Sequence, residues 1–291
     1  MEMLSHERLS ELNAMCRGFR SELVEMLYRA GSGHPGGSLS VCEILASLYF
    51  VKARVDPSHP SDPGRDRIIL SKGHAAPMQY IQLAAKGFFP KEELATFRRL
   101  GTRLQGHPSM ARTPGVDLTS GPLGMGLSAG VGMALGLQMK KSAATVTVYV
   151  VLGDGELNEG AVWEGAMSAA KFKADNLVAI VDRNHVQLDG ASDDIMPLMD
   201  VGGKFAAFGF EVFHCDGHDI AGICGAIDKA QEAAGKPSVI VADTVKGKGV
   251  SFMEGRSEWH GRPLSSDEYA SAMAELAERA ELAEQQPSFT H

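Results

Sequence analysis

The stretch GDGELNEGAVWEGAMSAAKFKADNLVAIVDRN, residues 153–184, decides the fold. An apolar run over 145–152 leads into its Gly-Asp-Gly turn, and a second apolar run over 177–181 ends in Asp-Arg-Asn. Between the two runs, the pattern predicts a helix over about 159–172. Strand, helix and strand in this order are typical of a parallel sheet, in which the carboxyl ends of neighbouring strands lie at one edge.

Polar side chains follow both predicted strands. Asp154 offers a carboxylate after the first strand, and Asn184 offers an amide oxygen after the second. Mg²⁺ prefers oxygen ligands and commonly shares them with a bound phosphate. The glycines beside Asp154 allow the backbone to approach that phosphate, and a helix beginning near Glu159 directs its positive end to the same place. The stretch predicts a cation-assisted phosphate site; an ordinary Gly-Asp-Gly turn without a ligand is the alternative.

The rest of the chain continues the alternation of helices and strands. The predicted helices cover 6–30, 40–49, 87–100, 127–140, 159–172, 219–233 and 265–284. The predicted strands cover 67–70, 145–152, 177–181, 210–215 and 238–244. A capping box of Ser265 and Glu268 opens the last helix, and residues 104–126 are predicted to be loop. The predicted fold class is α/β: a doubly wound, mostly parallel sheet with helices on both faces.

Composition limits the classes of function. The chain has 291 residues, of which 44% are hydrophobic, enough for one large α/β domain. A formal net charge of −8 argues against nucleic-acid binding. The four cysteines form no CxxC pair, so we expect buried free thiols and a cytoplasmic location. The amphipathic N-terminus does not resemble a signal peptide, and no apolar window is long enough to span a membrane.

Further motifs line up with one known family. They are GSGHPGGSLS at 31–40, DRIILSKGHA at 66–75, GHP at 106–108, GPLGMG at 121–126 and WHG at 259–261. Together with Gly-Asp-Gly and the later Asn184, they resemble the N-terminal, diphosphate-binding portion of transketolase, a thiamine-diphosphate enzyme. The resemblance implies that residues 1–265 form a domain that binds thiamine diphosphate and Mg²⁺. Residues 266–291 are then a C-terminal helix and a frayed tail.

The resemblance assigns the cofactor site residue by residue. Asp154, Asn184 and the backbone carbonyl of Val186 match the ligands of Mg²⁺, for which Ca²⁺ or Mn²⁺ can substitute. The backbones of Gly153 and Gly155 match those that pass the diphosphate. The other residues matched to the cofactor are Gly121, Leu123, Glu159, His74 and His260.

Four histidines lie inside these motifs: His34, His74, His107 and His260. By resemblance, they are catalytic and surround the reactive carbon of the cofactor and the sugar hydroxyls. Ketol transfer removes a proton from the donor and gives one to the acceptor, and imidazoles that titrate near neutrality can do both. We predict that His34 and His260 transfer protons and contact the cofactor, and that His74 and His107 bind hydroxyls. The remaining histidines are expected in ordinary positions: His6, His59, His185, His214, His218 and His291.

Two further pairs of charged residues have two interpretations each. Glu159 and Glu164 either complement the positive end of the helix or, by resemblance, belong to an acidic cluster that links two cofactor sites across a subunit interface. Lys246 and Lys248, in TVKGKG, either contact phosphate or lie in a solvated loop.

The resemblance also implies a missing part. In this family, the glutamate that activates the cofactor, the aromatic residue that stacks on its pyrimidine and the arginines for a substrate phosphate lie in a following pyrimidine-binding domain. The sequence ends at residue 291, soon after the diphosphate-binding portion. We therefore expect a split transketolase, in which a second polypeptide of roughly 300 residues supplies that domain in an α₂β₂ assembly. A piece cut from a longer transketolase would give the same sequence.

The predicted function is transfer of a two-carbon ketol unit from a ketose, expected to be phosphorylated, to an aldose, in pentose-phosphate or specialised sugar metabolism. Within the cofactor class, the alternatives are the α subunit of a 2-oxoacid dehydrogenase and a protein similar to deoxyxylulose-phosphate synthase. A non-catalytic cofactor-binding or regulatory module is the alternative from another class. A P-loop nucleotide binder is set aside because the sequence contains no GxxxxGK followed by Ser or Thr.

Overall fold

Five parallel strands form one sheet, in the order β1-β2-β3-β5-β4. The computed structural model describes residues 4–140 and 146–285. The strands are β1 (Arg67–Leu70), β2 (Val148–Gly153), β3 (Leu177–Arg183), β4 (Glu211–Asp216) and β5 (Ser238–Asp243). The five predicted strands are confirmed with small shifts in their bounds. Thr145, the predicted start of β2, lies outside the described residues.

Helices cover both faces of the sheet. They are α1 (His6–Ala30), α2 (Pro35–Ser40), α3 (Cys42–Ser47), α4 (Ala76–Lys86), α5 (Met125–Met139), α6 (Gly160–Lys171), α7 (Ser192–Ile195), α8 (Val201–Ala207), α9 (Ile220–Glu232) and α10 (Ser266–Gln285). Side chains of β2 alternate between two apolar cores: Tyr149 packs with α1, α3, α4 and α9, and Val150 packs with α5, α6 and α8. The doubly wound α/β prediction is therefore confirmed.

Local signals end and begin helices as predicted. Gly31 ends α1 in the left-handed region (φ 62°) and donates its N–H to the carbonyl of Tyr28 at 3.1 Å. Glu268 N donates to Ser265 Oγ at 3.2 Å, and Ser265 N donates to Glu268 Oε2 at 2.8 Å, which is the predicted capping box. The α10 helix that follows packs on α1, where Tyr28 stacks on Tyr269 with 4.1 Å between ring centroids.

Two predicted helices were wrong in extent. The helix predicted over 40–49 begins earlier, at Pro35, and is divided at Val41 into α2 and α3, with a π-helical turn over Leu48–Lys52 after them. Residues 87–100 contain a short 3₁₀ helix, Lys91–Thr96, instead of an α-helix. It ends because Phe97 leaves the helical region (ψ 130°) and the next residue, Arg98, is left-handed (φ 59°).

The four cysteines are free thiols. Cys215 is half-buried and the other three are buried, so the predicted burial is confirmed for those three. None of the helices within the described ranges is both long and apolar enough to cross a bilayer.

Candidate active site

The predicted site residues meet at the carboxyl edge of the sheet. Gly153, the last residue of β2, is in register with Asp182 of β3, and Asp154 N donates to the Asp182 carbonyl at 3.2 Å. Arg183 of β3 is in register with Asp243 of β5, so the chain leaving β5 enters the same region. Parallel pairing therefore brings together three segments that are far apart in the sequence.

Asp154 is held by the backbone around it. Its side chain is 2% exposed. Oδ1 accepts from Gly155 N at 2.7 Å, and Oδ2 accepts from His185 N at 2.6 Å. Burial, and then the charge of nearby Asp182, raise the pKa of Asp154. Oδ2 also accepts from Ser192 Oγ at 3.4 Å, whereas Oδ1 keeps a second lone pair that a cation can use.

Asn184 and Val186 complete the predicted ligand set. Asn184 is buried, and its Oδ1 accepts from Val186 N at 3.2 Å. Asp154, Asn184 and Val186 line one cavity of about 200 Å³. Carboxylate, amide and carbonyl oxygens are the donors that Mg²⁺ and Ca²⁺ use in proteins. The residues present therefore fit a divalent cation.

Most of the residues matched to the cofactor line the same cavity: Leu123, Gly153, Gly155, His74 and His260. Gly121 and Glu159 lie outside that lining. Gly121 is beside His107, where an added Cβ would come within 3.6 Å of the ring. Glu159 is exposed and occupies the N-cap position of α6.

Lys72 is a buried residue of this site that sequence analysis missed. It is 1% exposed and forms an ion pair with Asp182 Oδ2, and its Nζ donates to the Gly37 carbonyl at 3.0 Å. Burial alone would raise the pKa of Asp182, but the ion pair with Lys72 lowers it below its ordinary value. Lys72 is part of the DRIILSKGHA motif, yet nothing in its spacing indicates a carboxylate partner in β3.

Lys246 is also buried, so the solvated-loop interpretation is wrong for it. Its side chain is 2% exposed, and Nζ donates to the carbonyls of Val186 at 3.0 Å and Gln187 at 3.1 Å. Burial, and then the charge of Lys72, lower the pKa of Lys246 to about 8. Lys248 is half-buried and does not line the cavity. Lys246 and Lys248 thus have different environments, although the sequence allowed the same two interpretations for both.

Glu156 is a second buried group that was missed. It is 2% exposed, and its carboxylate accepts from Ser71 Oγ, from Gly124 N at 2.9 Å and from Gly153 N at 3.0 Å. Burial raises the pKa of Glu156. The carboxylate ties the end of β1 and the 121–126 segment to the Gly-Asp-Gly turn. From the sequence, an acid at this position is indistinguishable from ordinary charge at a helix N-terminus.

The four motif histidines form one cluster, as predicted. The ring of His34 lies 5.4 Å from that of His74, 5.5 Å from that of His260 and 6.2 Å from that of His107, between centroids. His74 and His260 are 5.1 Å apart. His74 and His260 also line the cation cavity, so the cluster adjoins it.

These imidazoles are neutral near pH 7, which corrects the expectation that they titrate there. Burial, with neighbouring cations, lowers the pKa of His34 to about 4 and that of His260 to about 3. Burial likewise lowers the pKa of His74 well below its ordinary value, and that of His107 as well. Each ring therefore has one donor nitrogen and one acceptor nitrogen.

The other histidines within the described ranges occupy ordinary positions. His185 is exposed, with Nε2 3.4 Å from Asp243 Oδ1. His218 Nδ1 lies 3.0 Å from Glu43 Oε2, and its Nε2 accepts from Val245 N at 2.9 Å. His6, His59 and His214 are exposed. His291 lies outside the described residues.

Known proteins match this chain over nearly its whole length. The profile described as "Transketolase, thiamine diphosphate binding domain" matches residues 13–282. The chain belongs to the transketolase family. The 6-deoxy-6-sulfo-D-fructose transketolase subunit of a Clostridium species is 45% identical, over 93% of this chain and 98% of that relative. An apulose-4-phosphate transketolase subunit of Phocaeicola vulgatus is 40% identical, over 92% of this chain and 94% of that relative.

Solved transketolases share the fold of this transketolase chain but are longer. The Campylobacter jejuni enzyme has a TM-score of 0.84 and 31% identity, over 94% of this chain and 43% of that one. The Pichia stipitis enzyme in complex with sedoheptulose-7-phosphate has a TM-score of 0.83 and 30% identity, over 94% of this chain and 45% of that one. The prediction of an N-terminal transketolase subunit with a thiamine-diphosphate-binding fold is confirmed. The family match also favours transketolase over the dehydrogenase and synthase alternatives.

Proposed function

We propose that this chain is the diphosphate-binding subunit of a two-chain transketolase, with the active site completed by a second polypeptide. The observation that carries the proposal is one cavity that joins Asp154, Asn184 and Val186 to His74 and His260. Its oxygen-lined end suits a cation and a diphosphate, and its histidine end suits the hydroxyls of a sugar. Relatives that this chain matches over almost their whole length are named as transketolase subunits.

The proposed cofactor is thiamine diphosphate with Mg²⁺, or with Ca²⁺ or Mn²⁺ in its place. Asp154, Asn184 and the Val186 carbonyl would hold the cation, and the backbones of Gly153 and Gly155 would pass the diphosphate. When bound, thiamine diphosphate supplies the carbon that carries a two-carbon unit from donor to acceptor. Residues 1–265 would form this cofactor-binding domain, with 266–291 as its terminal helix and tail. The remaining proposed cofactor contacts are Gly121, Leu123, Glu159, His74 and His260.

The histidines would bind the substrate and move its protons as neutral imidazoles. His34 Nδ1 is buried and has no hydrogen-bond partner in the described part of the chain, so a ligand that reaches this ring would satisfy it. His260 Nδ1 lies 3.0 Å from Lys246 Nζ. Because an ammonium group only donates, Nδ1 must accept and Nε2 carries the ring proton. We assign proton acceptance to His34, proton donation to His260, and hydroxyl binding to His74 and His107.

The proposed reaction transfers a two-carbon ketol unit from a ketose to an aldose. The relatives named above act on a sulfonated fructose and on apulose-4-phosphate, by their names. Both names contain a strongly acidic group, so we propose a donor or acceptor with a phosphate or sulfonate. The reaction would serve pentose-phosphate or specialised sugar metabolism in the cytoplasm.

The proposed assembly is α₂β₂, with a pyrimidine-domain polypeptide as the second chain. Leu123 and Leu188 line the cavity and are 37% and 60% exposed, which suits coverage by another protein surface. Glu159 and Glu164 are also exposed, as is Met167 (54%), which lies three residues after Glu164 in α6. We propose that these two acids link cofactor sites across the subunit interface.

Reconstitution tests the proposal. The chain would be co-expressed with the product of a neighbouring gene that encodes a pyrimidine-domain protein, and ketol transfer would be assayed with phosphorylated and sulfonated ketoses. We expect turnover from the complex and none above background from either chain. Full activity from the 291-residue chain alone would contradict the two-chain arrangement. Cofactor binding without turnover, with every candidate partner, would support the non-catalytic module instead.

A further inference from the structure

A buried ion pair outside the cavity contacts the chain that leaves β5. Arg20 of α1 and Glu43 of α3 are both buried, and two nitrogens of the guanidinium meet the two carboxylate oxygens, at 2.6 Å and 2.8 Å. Burial alone would raise the pKa of Glu43, but the charge of Arg20 lowers it to about 2, so the pair is ionised at pH 7. Arg20 Nε also donates to the Lys248 carbonyl at 3.0 Å, so the pair holds one end of this segment.

Glu43 reaches the other end of the segment through His218. His218 Nδ1 lies 3.0 Å from Glu43 Oε2, and its Nε2 accepts from Val245 N at 2.9 Å. Because a backbone N–H only donates, Nε2 carries no proton, so Nδ1 carries the ring proton and donates to the carboxylate. Lys248 N donates to the Val245 carbonyl at 3.2 Å, which closes a turn over 245–248. One carboxylate therefore fixes both ends of this turn, one through an imidazole and the other through a guanidinium.

The 245–248 turn carries a side chain of the cavity. Lys246, its second residue, lines the cavity, and its Nζ donates to the Val186 carbonyl at 3.0 Å. Glu43 and His218 do not line the cavity. A buried ion pair is weak evidence for stability, because apolar residues of similar volume often serve equally well. The position that the pair gives to the turn explains it better.

We propose that Glu43 is a positioning residue for cofactor binding: through Arg20 and His218 it fixes the 245–248 turn and thereby directs Lys246 into the cavity. Without these contacts, the turn has more conformations in the free chain. The entropy cost of ordering it then opposes cofactor binding. The network acts on backbone groups and does not touch the ligand. This inference rests on the cofactor site of the proposed function.

Two kinds of variant separate positioning from stability. His218→Leu removes the ring acceptor for the turn, whereas His218→Gln keeps a donor and an acceptor. Arg20→Met/Glu43→Leu replaces the ion pair by apolar side chains, so we expect the free energy of unfolding to stay near that of the unaltered chain. The matched control, Lys52→Met/Asp228→Leu, replaces a half-buried ion pair outside the cavity.

Hydrogen exchange of the full chain without ligand, followed by mass spectrometry, reports on the turn itself. We expect faster exchange over 244–249 in His218→Leu and in Arg20→Met/Glu43→Leu, and little change there in His218→Gln and the control. Calorimetric titration with thiamine diphosphate at saturating Mg²⁺ reports on the cofactor site. We expect the affinity to fall about tenfold in the first two variants and to stay near that of the unaltered chain in the other two.

The outcomes distinguish this inference from the proposed function. If His218→Leu and Arg20→Met/Glu43→Leu bind thiamine diphosphate as tightly as the unaltered chain, the network does not position the site, although the cofactor site stands. An equal loss of affinity in His218→Gln or in the control would also overturn the inference, because the effect would not depend on the hydrogen bonds to the turn. If the unaltered chain binds no thiamine diphosphate, both the inference and the proposed cofactor site fail.

Discussion

The cation end and the histidine end of the cavity differ in how far this chain encloses them. At the cation end, Asp154 and Lys246 are each 2% exposed, and their polar atoms have partners within the chain. Toward the histidine end, Leu123 is 37% exposed, and His107 of the histidine cluster is exposed as well. We infer that this chain alone can bind a diphosphate, and that recognition of the sugar requires a second surface.

The difference has a physical basis. A site binds a charged ligand away from water most effectively when the dipoles of the protein are already oriented. Around Asp154, strand ends and tight turns orient the backbone N–H groups. Sugar recognition needs groups on several sides of a flexible, polyhydroxylated chain, which one face of a sheet does not surround. The following predictions test this division.

Breaking the ion pair beneath the cation end should have the largest effect. In Lys72→Met, Asp182 remains buried without a counter-charge, so we expect the free energy of unfolding to fall by about 3–5 kcal/mol. Urea denaturation followed by circular dichroism measures it. The double variant Lys72→Met/Asp182→Asn should recover much of the loss. A loss no larger than that of Lys248→Met would mean that the pair does not support the cation end.

Removing the carboxylate ligand should weaken cofactor binding. The change in free energy should be somewhat smaller than the loss of stability in Lys72→Met. In Asp154→Ala, we expect the affinity for thiamine diphosphate at saturating Mg²⁺ to fall about 100-fold or more, because the diphosphate is held through the metal. Calorimetric titration measures it. Asp189→Ala, an exposed acid in the same segment, is the matched control. Unchanged affinity in Asp154→Ala contradicts the ligand assignment.

Changing His34, which belongs to the histidine end but does not line the cation cavity, should affect turnover and leave cofactor binding nearly intact. For His34→Asn in the reconstituted complex, we expect kcat to fall about 100-fold, as for loss of a proton-transfer group. The affinity for thiamine diphosphate should change less than about threefold, since His34 lies outside the cation cavity. His214→Asn changes an exposed histidine of β4 and serves as control. If His34→Asn lost cofactor affinity and turnover equally, the result would contradict the inferred division of roles between the two ends of the cavity.

Acidification should lower the free energy of unfolding through the histidine end. We expect this effect to be the smallest of the four. The pKa values of His34 and His260, about 4 and about 3, lie below the unfolded value, so between pH 6.5 and 5 the unfolded chain binds more protons than the folded chain. The free energy of unfolding should therefore fall as the pH falls, by about 1 kcal/mol after allowance for solvent screening. Urea denaturation at several pH values measures it.

Two comparisons decide whether the pH dependence of stability comes from the histidine cluster. His34→Gln and His260→Gln should each make the stability less dependent on pH, whereas His59→Gln, in an exposed turn, should not. The raised pKa of Glu156 acts in the opposite direction at lower pH, because the folded chain then takes up the proton first. A rise in stability between pH 6.5 and 5 would contradict the neutral assignment of the histidines.

Local signals account for how much of the fold was predictable. Apolar periodicity, Gly31 and the Ser265–Glu268 capping box act over a few residues, so the strands and helices α1, α5, α6, α9 and α10 could be read directly, whereas α4, α7 and α8 were not predicted. The break at Val41 and the left-handed Arg98 could not, since neither follows a residue that signals it, such as glycine or proline. The site followed the same rule: its motif residues were found in the sequence, and its buried charges were not.

By itself, the sequence determined the parallel α/β fold, the transketolase family and the residues that gather at the strand ends. Tertiary structure alone decided the electrostatics of the site. Lys72 and Asp182 are separated by 110 positions yet share a buried ion pair, and Lys246 reaches the Val186 carbonyl across 60 positions. Burial and neighbouring cations also lower the pKa of four histidines. The charge state of a side chain depends on the few groups within several ångströms of it and on the water excluded around it, and neither is encoded in local spacing.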